Sequence, residues 1–442
     1  MNPEGDMTGS AMSGRAPVFR GSPVRRVHVM VKPTGARCNL NCTYCYYLSK
    51  EQLLGKPENG CISDELLEEF IRQYFASHNN KEVIFSWQGG EPTLLGLEFF
   101  RKVVALEKKY CPSHVRCEND LQTNGTLLDA AWCEFLHNEN FLVGLSIDGP
   151  QKLHDAYRKD SAGHGSFARV LKAAGLLRRY KVNFAVLCCV NRLTSQHPLE
   201  VYRFVRDQVG AQRIQFIPVV EPASFRQVAP QRWDIQSMPV QGSSAAKPGS
   251  EDSVVTEWSV DPDDWGDFLC GVFDEWYRKD LGKMYVNYFD AAVETWMGHV
   301  APLCTMAPMC GKGLAMERDG SVYACDHYVY PEYRAGNIRE KPLAEIAFST
   351  RQETFGRMKE GALPGQCRNC DYQFTCFGEC PKNRFIKTAA GEAGLNYLCS
   401  GWKKFFAHID EPVQKIVRSL GETVIKEVRT RAAENWRPEK QS

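Results

Sequence analysis

Cys38, Cys42 and Cys45, within Lys32-Pro-Thr-Gly-Ala-Arg-Cys-Asn-Leu-Asn-Cys-Thr-Tyr-Cys-Tyr-Tyr47, constrain this chain more than any other stretch. Three thiolates spaced C-x3-C-x2-C can hold three corners of a cubane iron-sulfur cluster, whereas a closed cluster takes four cysteines. The fourth iron then stays open to bind a small molecule and pass it an electron, as an open coordination position separates catalytic from structural zinc. Spacing alone also fits three ordinary loop cysteines or part of a zinc knuckle.

The strand-like run Val27 to Val31 leads into that loop and begins a regular alternation. Short apolar runs predict strands over 27–33, 82–88, 115–122, 141–147, 182–190 and 213–219. Apolar residues at i, i+3 and i+4, as in Leu66, Leu67, Phe70, Ile71 and Tyr74, predict helices over 63–77, 96–110, 127–138, 166–180 and 197–209. Strands alternating with helices imply βαβ units and a parallel sheet. Six strands are too few for a closed eight-stranded barrel and fit an open, partial (β/α)6 barrel of the TIM type. In parallel α/β folds the ligand lies beyond the carboxyl ends of the strands.

The loops at those ends are correspondingly polar. After the second strand comes Trp87-Gln-Gly-Gly-Glu-Pro-Thr93, whose paired glycines either admit a ligand close to the backbone or make a plain Gly-Pro turn. After the third comes Gln122-Thr-Asn-Gly125, and after the fourth Ser146-Ile-Asp-Gly-Pro150 with His154, Asp155 and Arg158 beyond it. Hydroxyl, carboxylate and guanidinium groups gathered there suit a ribose and a carboxylate, although Asp-Gly alone signals only a turn.

Eighteen cysteines are many for 442 residues, and the first 25 residues lack the apolar core of a secretion signal. Arg25-Arg26 has the look of a twin-arginine signal, but Lys32 cuts the apolar run after it. No stretch reaches the roughly 18 apolar residues of a membrane span. Lys+Arg 54 against Asp+Glu 53 points to neither nucleic acid nor an anionic membrane as partner. The expectation is a soluble, cytoplasmic protein whose cysteines mostly hold metal.

Residues 1–24 read as a disordered extension, 25–258 as the barrel, and 221–258 as a polar surface insertion within it. A helical linker follows over 259–300, with Trp265, Phe268, Leu269, Val272, Phe273 and Trp276 on one core-facing stripe over 261–299. Residues 301–404 form a small cysteine-rich domain. In 405–442, Phe405 to Val428 is an amphipathic docking helix and Arg429 to Ser442 a frayed tail.

The cysteine-rich part holds Cys304, Cys310, Cys325, Cys367, Cys370, Cys376, Cys380 and Cys399, enough for two closed four-thiolate sites. By spacing these sites fit iron-sulfur clusters or structural zinc equally. Cys61, Cys111, Cys117, Cys133, Cys188, Cys189 and Cys270 are left over as small hydrophobes. Glu317, Arg318 and Asp319 precede the hairpin turn Gly320-Ser321 and read as solvated charges.

Taken together, C-x3-C-x2-C with aromatic Tyr44 before the third cysteine, and the Gly-Gly-Glu-Pro segment, resemble the radical S-adenosylmethionine superfamily. The second cysteine group resembles the twin-cluster SPASM extension of its protein-modifying members. Trp87 to Phe100, Leu121 to Thr126, Val143 to Pro150 and Asp319 to Tyr328 resemble the anaerobic sulfatase-maturating enzymes, and the likeness runs from the first strand to Cys399. The resemblance implies S-adenosylmethionine and three [4Fe-4S] clusters as cofactors. It implies one cluster on Cys38, Cys42 and Cys45, one auxiliary cluster on Cys304, Cys310, Cys325 and Cys380, and another on Cys367, Cys370, Cys376 and Cys399. It gives Gly89, Gly90, Glu91 and Pro92 to the cofactor's amino group, and Ser146, Arg158, Tyr44 and the backbone near Val220 to the rest of its pocket.

The implied reaction oxidises a Cys or Ser of a sulfatase to 3-oxoalanine (formylglycine) without oxygen, through hydrogen abstraction by a 5'-deoxyadenosyl radical. A radical is needed because the β-carbon C–H bond is too strong and too weakly acidic for base catalysis, and the cofactor supplies it. By the same resemblance Asp326 is the base for the thiol or hydroxyl proton; from its place next in the chain, His327 either tunes Asp326 or simply packs. An unfolded or nascent sulfatase is the implied substrate, a flavodoxin- or ferredoxin-type protein the electron donor, and the enzyme a monomer. Rival readings are a SPASM-type maturase of a ribosomally made peptide and a non-catalytic zinc-binding interaction protein. Three cubanes predict about twelve irons per chain and absorbance near 400 nm after anaerobic purification; a colourless, zinc-loaded protein would overturn this reading.

Overall fold

Alternation along the strands decides which residues meet the helices. The computed structural model describes residues 26–55 and 60–435, with side chains to residue 421. Six parallel strands stand side by side in chain order: β1 (His28–Lys32), β2 (Glu82–Trp87), β3 (Arg116–Thr123), β4 (Leu142–Ser146), β5 (Asn183–Val190) and β6 (Arg213–Pro218). Val29, Phe85, Trp87, Leu121, Val143 and Val186 point outward and are fully buried under helices. In helix Asp64–Ala76 the expected apolar face is buried, with Phe70 and Tyr74 packed 5.9 and 4.7 Å from the Phe85 ring. Ser63 caps its first turn by accepting from the Leu66 amide.

Local chemistry explains the small departures. The helix expected from residue 127 begins at Ala130, because the Asp129 side chain takes the Trp132 amide and acts as N-cap. The helix expected over 197–209 runs as Pro198–Arg203 and widens into a π-helical turn over Phe204–Val209, closed by Gly210 at φ 69°. The helical stretch expected over 261–299 is two helices, Pro262–Lys279 and Asn287–Trp296, separated by the short strand β7 (Tyr285–Val286), which adds to β6.

The largest difference lies at the other edge. Strand β8 (Gly313–Glu317), inside the cysteine-rich region, pairs in parallel with β1, placing His28 opposite Gly313 and Lys32 opposite Glu317. Strands β9 (Ser321–Tyr323) and β10 (Arg334–Asn337) continue antiparallel, so one sheet runs β10-β9-β8-β1-β2-β3-β4-β5-β6-β7. This corrects the reading of Glu317 and Arg318 as solvated, since both are 6% exposed. Burial pushes the Glu317 carboxyl up to about 7, while the Tyr47 hydroxyl donates to it. Arg318 donates to Glu51 at 2.7 Å and to the carbonyls of Thr34 and Gly60. Asp319 alone stays exposed.

The polar insertion over 221–258 is ordered by contacts with the cysteine-rich part. Tyr330 and Tyr333 donate to the carbonyls of Phe225 and Pro230 at 2.6 and 2.8 Å, and Val240 bridges to Lys387. The last helix spans Cys399–Asn435, starting earlier than residue 405 because the Asn396 side chain accepts from the Leu398 amide and its carbonyl from the Cys399 amide. The disorder expected for residues 1–24, and the end of the tail at 436–442, fall outside the described residues. Among the described residues no helix is long and apolar enough to cross a membrane.

Helix Cys399–Asn435 lies against helix Pro262–Lys279 through Gly401 and Gly266, where a β-carbon on Gly401 would come within 2.0 Å of the Pro262 carbonyl oxygen. Gly401→Ala is therefore expected to cost about 1–3 kcal/mol, read as a lowered midpoint in a thermal melt; an unchanged midpoint would mean that the helices separate freely.

Candidate active site

The loop after β1 is built by backbone contacts with the loop after β2. The amides of Gly90 and Glu91 donate to the carbonyls of Gly35 and Arg37, each at 2.8 Å. A β-carbon at Gly90 would stand 1.9 Å from the Arg37 carbonyl oxygen, and Gly89 adopts φ 127°. The paired glycines thus serve first to let the cysteine loop itself come close. The Glu91 carboxylate is 1% exposed and takes four hydrogen bonds: the Thr93 amide and hydroxyl, the Thr123 hydroxyl and the Asn124 amide. It braces the β2 loop against the β3 loop, an assignment its place beside Gly89 and Gly90 did not suggest.

Cys38, Cys42 and Cys45 lie above this brace. Burial pushes the Cys38 thiol up to about 11 and raises Cys42 and Cys45 as well. Against that, the Leu40 amide donates to the Cys38 sulfur at 3.3 Å and the Asn124 side chain at 3.7 Å, while the amides of Tyr47 and Leu48 favour the Cys45 thiolate. Buried sulfurs supplied with N–H donors suit thiolates bound to metal.

The β4 and β5 ends supply a second group. Asp148 accepts from Arg158 Nε at 2.8 Å and Nη2 at 3.1 Å, from the Tyr44 hydroxyl, and from the Cys189 amide at 2.9 Å. Asp148 was legible only as part of a turn; here it fixes the two side chains, Tyr44 and Arg158, that the sequence singled out. Ser146 ends β4, 7% exposed. The Val220 carbonyl, beyond β6, accepts from Lys382 Nζ at 2.5 Å. His154 and Asp155 stand apart: His154 bonds to Ser166 and the Asp148 amide, burial lowers it to about 4, and Asp155 accepts from the Phe167 amide.

Asp326 begins a single turn directly after Cys325. Its Oδ1 lies 2.5 Å from Lys32 Nζ as an ion pair, and its Oδ2 accepts from the Tyr46 hydroxyl. Burial raises the carboxyl, but the Lys32 ammonium and the hydrogen bonding outweigh it and hold Asp326 below the usual carboxylate range. The carboxylate is therefore ionised at neutral pH. Lys32 and Tyr46 were not identified from the sequence; the Tyr46-Tyr47 doublet after Cys45 was the available signal. His327 packs its ring 5.0 Å from Tyr46, and burial lowers it to about 4.

The eight remaining thiols fall into two neighbourhoods. Burial raises Cys325, and the nearby thiols of Cys304 and Cys380 raise it further; Cys304 likewise acts on Cys310. Burial raises Cys376 to about 12, with Cys399 and Cys367 adding to it; Cys399 in turn feels Cys367 and Cys370. Lys359, wholly buried, donates to the carbonyls of Cys304, Thr305 and Ala307 at 2.5–2.8 Å. Arg384 donates to the carbonyls of Gly378 and Phe377 at 2.9 and 2.6 Å. Two buried cations amid eight thiols fit anionic metal-thiolate groups. Among the described residues no three His, Cys, Asp or Glu side chains converge as ligands of one lone ion would; a cubane spreads its irons over separate corners and asks for no such convergence.

Two family models match: the radical SAM superfamily over residues 33–205, and an iron-sulfur cluster-binding domain, SPASM, over residues 304–371. A serine-type anaerobic sulfatase-maturating enzyme of Bacteroides thetaiotaomicron is 45% identical over 383 residues, covering 87% of this chain and 89% of its own. A cysteine-type enzyme of Clostridium perfringens is 34% identical over 382 residues, covering 86% of this chain and 95% of its own. The solved structure of native anSMEcpe with bound AdoMet and the Cp18Cys peptide superposes with a TM-score of 0.75 at 32% identity, covering 89% of this chain and 99% of that one.

The Gly90 contact generates a direct test of the first site. Gly90→Ala must displace the backbone at Arg37, so the purified variant is expected to carry roughly four irons fewer per chain, one cubane's worth, with the other iron retained. Full iron content in the variant would show that the contact does not shape the cysteine loop.

Proposed function

The chain belongs to the anaerobic sulfatase-maturating enzymes of the radical SAM superfamily, and on that premise we propose how its own residues divide the work. The reaction is oxidation of a Cys or Ser of a sulfatase to formylglycine, with S-adenosylmethionine and three [4Fe-4S] clusters as cofactors. When bound, these groups supply one-electron chemistry: they remove a hydrogen atom from the substrate β-carbon and take up the second electron. Cys38, Cys42 and Cys45 hold the S-adenosylmethionine-binding cluster. Cys304, Cys310, Cys325 and Cys380 hold one auxiliary cluster, and Cys367, Cys370, Cys376 and Cys399 the other.

The backbone of Gly89 and Gly90, Ser146, Arg158, Tyr44 and the backbone at Val220 line the S-adenosylmethionine pocket. Glu91 keeps their loops in place, and Asp148 orients Arg158 and Tyr44 by hydrogen bonding. Asp326 receives the proton of the substrate thiol or hydroxyl as the second electron leaves. The observation that carries this is the setting of Asp326, an ionised carboxylate next to Cys325 and held between Lys32 and Tyr46. A base must be deprotonated and steady before the substrate arrives.

The substrate is an unfolded or nascent sulfatase segment, because the reacting side chain has to reach a carboxylate at the barrel mouth. A flavodoxin- or ferredoxin-type protein donates the first electron, and the enzyme works as a monomer in the cytoplasm. Among the described residues no two cysteines are joined in a disulfide, which supports a reducing compartment.

The decisive variant is Asp326→Asn, assayed with Ser- and Cys-containing sulfatase peptides. Formylglycine is expected to fall about 10²- to 10⁴-fold, the usual worth of a general base, while 5'-deoxyadenosine release stays within a few-fold. Equal survival of both products would remove Asp326 from this role.

A further inference from the structure

The inner face of the barrel is not packed as a closed barrel's is. Met30, Ile84, Leu142, Leu187 and Ile217 point inward by alternation, remain partly exposed, and belong to no core cluster. In closed (β/α)8 barrels such inward side chains fill the centre in layers. Here they stay partly open beneath the Lys32–Asp326 pair, as a cleft lined by both apolar and polar side chains.

Into this cleft β3 presents two polar side chains, Asp120 and Gln122, on the face opposite Leu121. Register puts Asp120 level with Ser86 and, through Ser86, with Met30, and on its other side with Leu142. The layer of Lys32 lies two residues further along, about 6.6 Å at the usual strand rise. The side-chain partner of Asp120 is the Ser86 hydroxyl at 2.5 Å, on Oδ2. No cation meets it. Arg116, on the same strand, is taken by Glu82 and Glu118 at the rim, and Lys32 by Asp326. The Gln122 amide is only partly exposed and makes no side-chain hydrogen bond among the described residues.

We propose that Asp120, with Gln122 beside it, is a subsite within the barrel that takes a basic side chain of the target polypeptide while the reacting Cys or Ser stands at Asp326. A half-buried carboxylate without a cation is already partly desolvated, and an incoming guanidinium or ammonium offsets that cost. Burial raises Asp120 to about 6, which leaves it mostly ionised at neutral pH and ready for such a partner. The Gln122 amide, with a donor and an acceptor, matches a peptide backbone crossing the cleft. The subsite thus selects which Cys or Ser is oxidised by the charge carried along the same chain. The proposal rests on the sulfatase-maturation reading above.

The test uses anaerobically purified, cluster-loaded full-length enzyme. Its probes are a sulfatase peptide bearing the oxidisable residue and a series in which each Arg or Lys is replaced in turn by Gln. With the unaltered enzyme, one replacement is expected to raise KM for formylglycine formation, and the peptide Kd by fluorescence anisotropy, about tenfold. In Asp120→Asn, which keeps the size and the Ser86 contact, parent and replaced peptides should bind alike. Ser86→Ala should keep the discrimination, because Ser86 steadies the carboxylate without carrying charge. If Asp120→Asn discriminates as the unaltered enzyme does, or no replacement changes KM or Kd more than about twofold, the subsite is refuted. Absence of formylglycine from every peptide would count against the function itself, and the anisotropy ratios would still judge the subsite.

Discussion

The parallel pairing of β1 with β8 is the contact on which the site depends. Five residues in register set Glu317 beside Lys32 and bring the chain through the β9 turn to Cys325 and Asp326. The segment that carries Asp326, 280 residues on from Tyr46, is thereby fixed to the strand that leads into the cysteine loop. Ladder hydrogen bonds are directional and short, so the separation of the two parts is set by backbone geometry and not by flexible side chains.

Burying charges at this junction is tolerable because each one has a partner. Lys32 meets Asp326 and lies over the Tyr47 ring, Tyr47 donates to Glu317, Tyr46 donates to Asp326, and Arg318 meets Glu51. Lys382 and Glu221 form a further buried pair at 2.9 Å beside the Val220 carbonyl. Such pairs gain little net stability over apolar packing, yet losing one partner leaves an unpaired charge and is expensive. The network therefore holds positions more than it adds stability, as the roles proposed for Asp326 and for the pocket residues require.

The cysteine spacing, the Gly-Gly-Glu-Pro segment and the six strand-helix units were all legible in the sequence, because each is a local pattern. Helix Asp64–Ala76 shows why: its apolar stripe and its Ser63 cap lie within a few residues of one another. Asp148, Lys32, Tyr46 and Glu317 were not legible, since their roles come from partners that the chain reaches only after a long excursion. Glu317 read as a turn charge because nothing near it in sequence says that its strand pairs with β1. The insertion over 221–258 read as loose for the same reason, its anchors being Tyr330, Tyr333 and Lys387.

By itself, the sequence determined the chemistry at hand: eleven cysteines at ligand spacings, a partial (β/α)6 barrel of alternating elements, and a carboxylate next to one cysteine. Periodicity and ligand spacing are properties of short segments, so they survive reading in one dimension. Tertiary structure alone decided that Glu91 braces loops, that Asp148 governs Arg158 and Tyr44, that Lys32 keeps Asp326 ionised, and that the barrel's interior stays open. Each of these depends on the distance between strands remote in sequence, and that distance exists only once β1 has β2 on one side and β8 on the other.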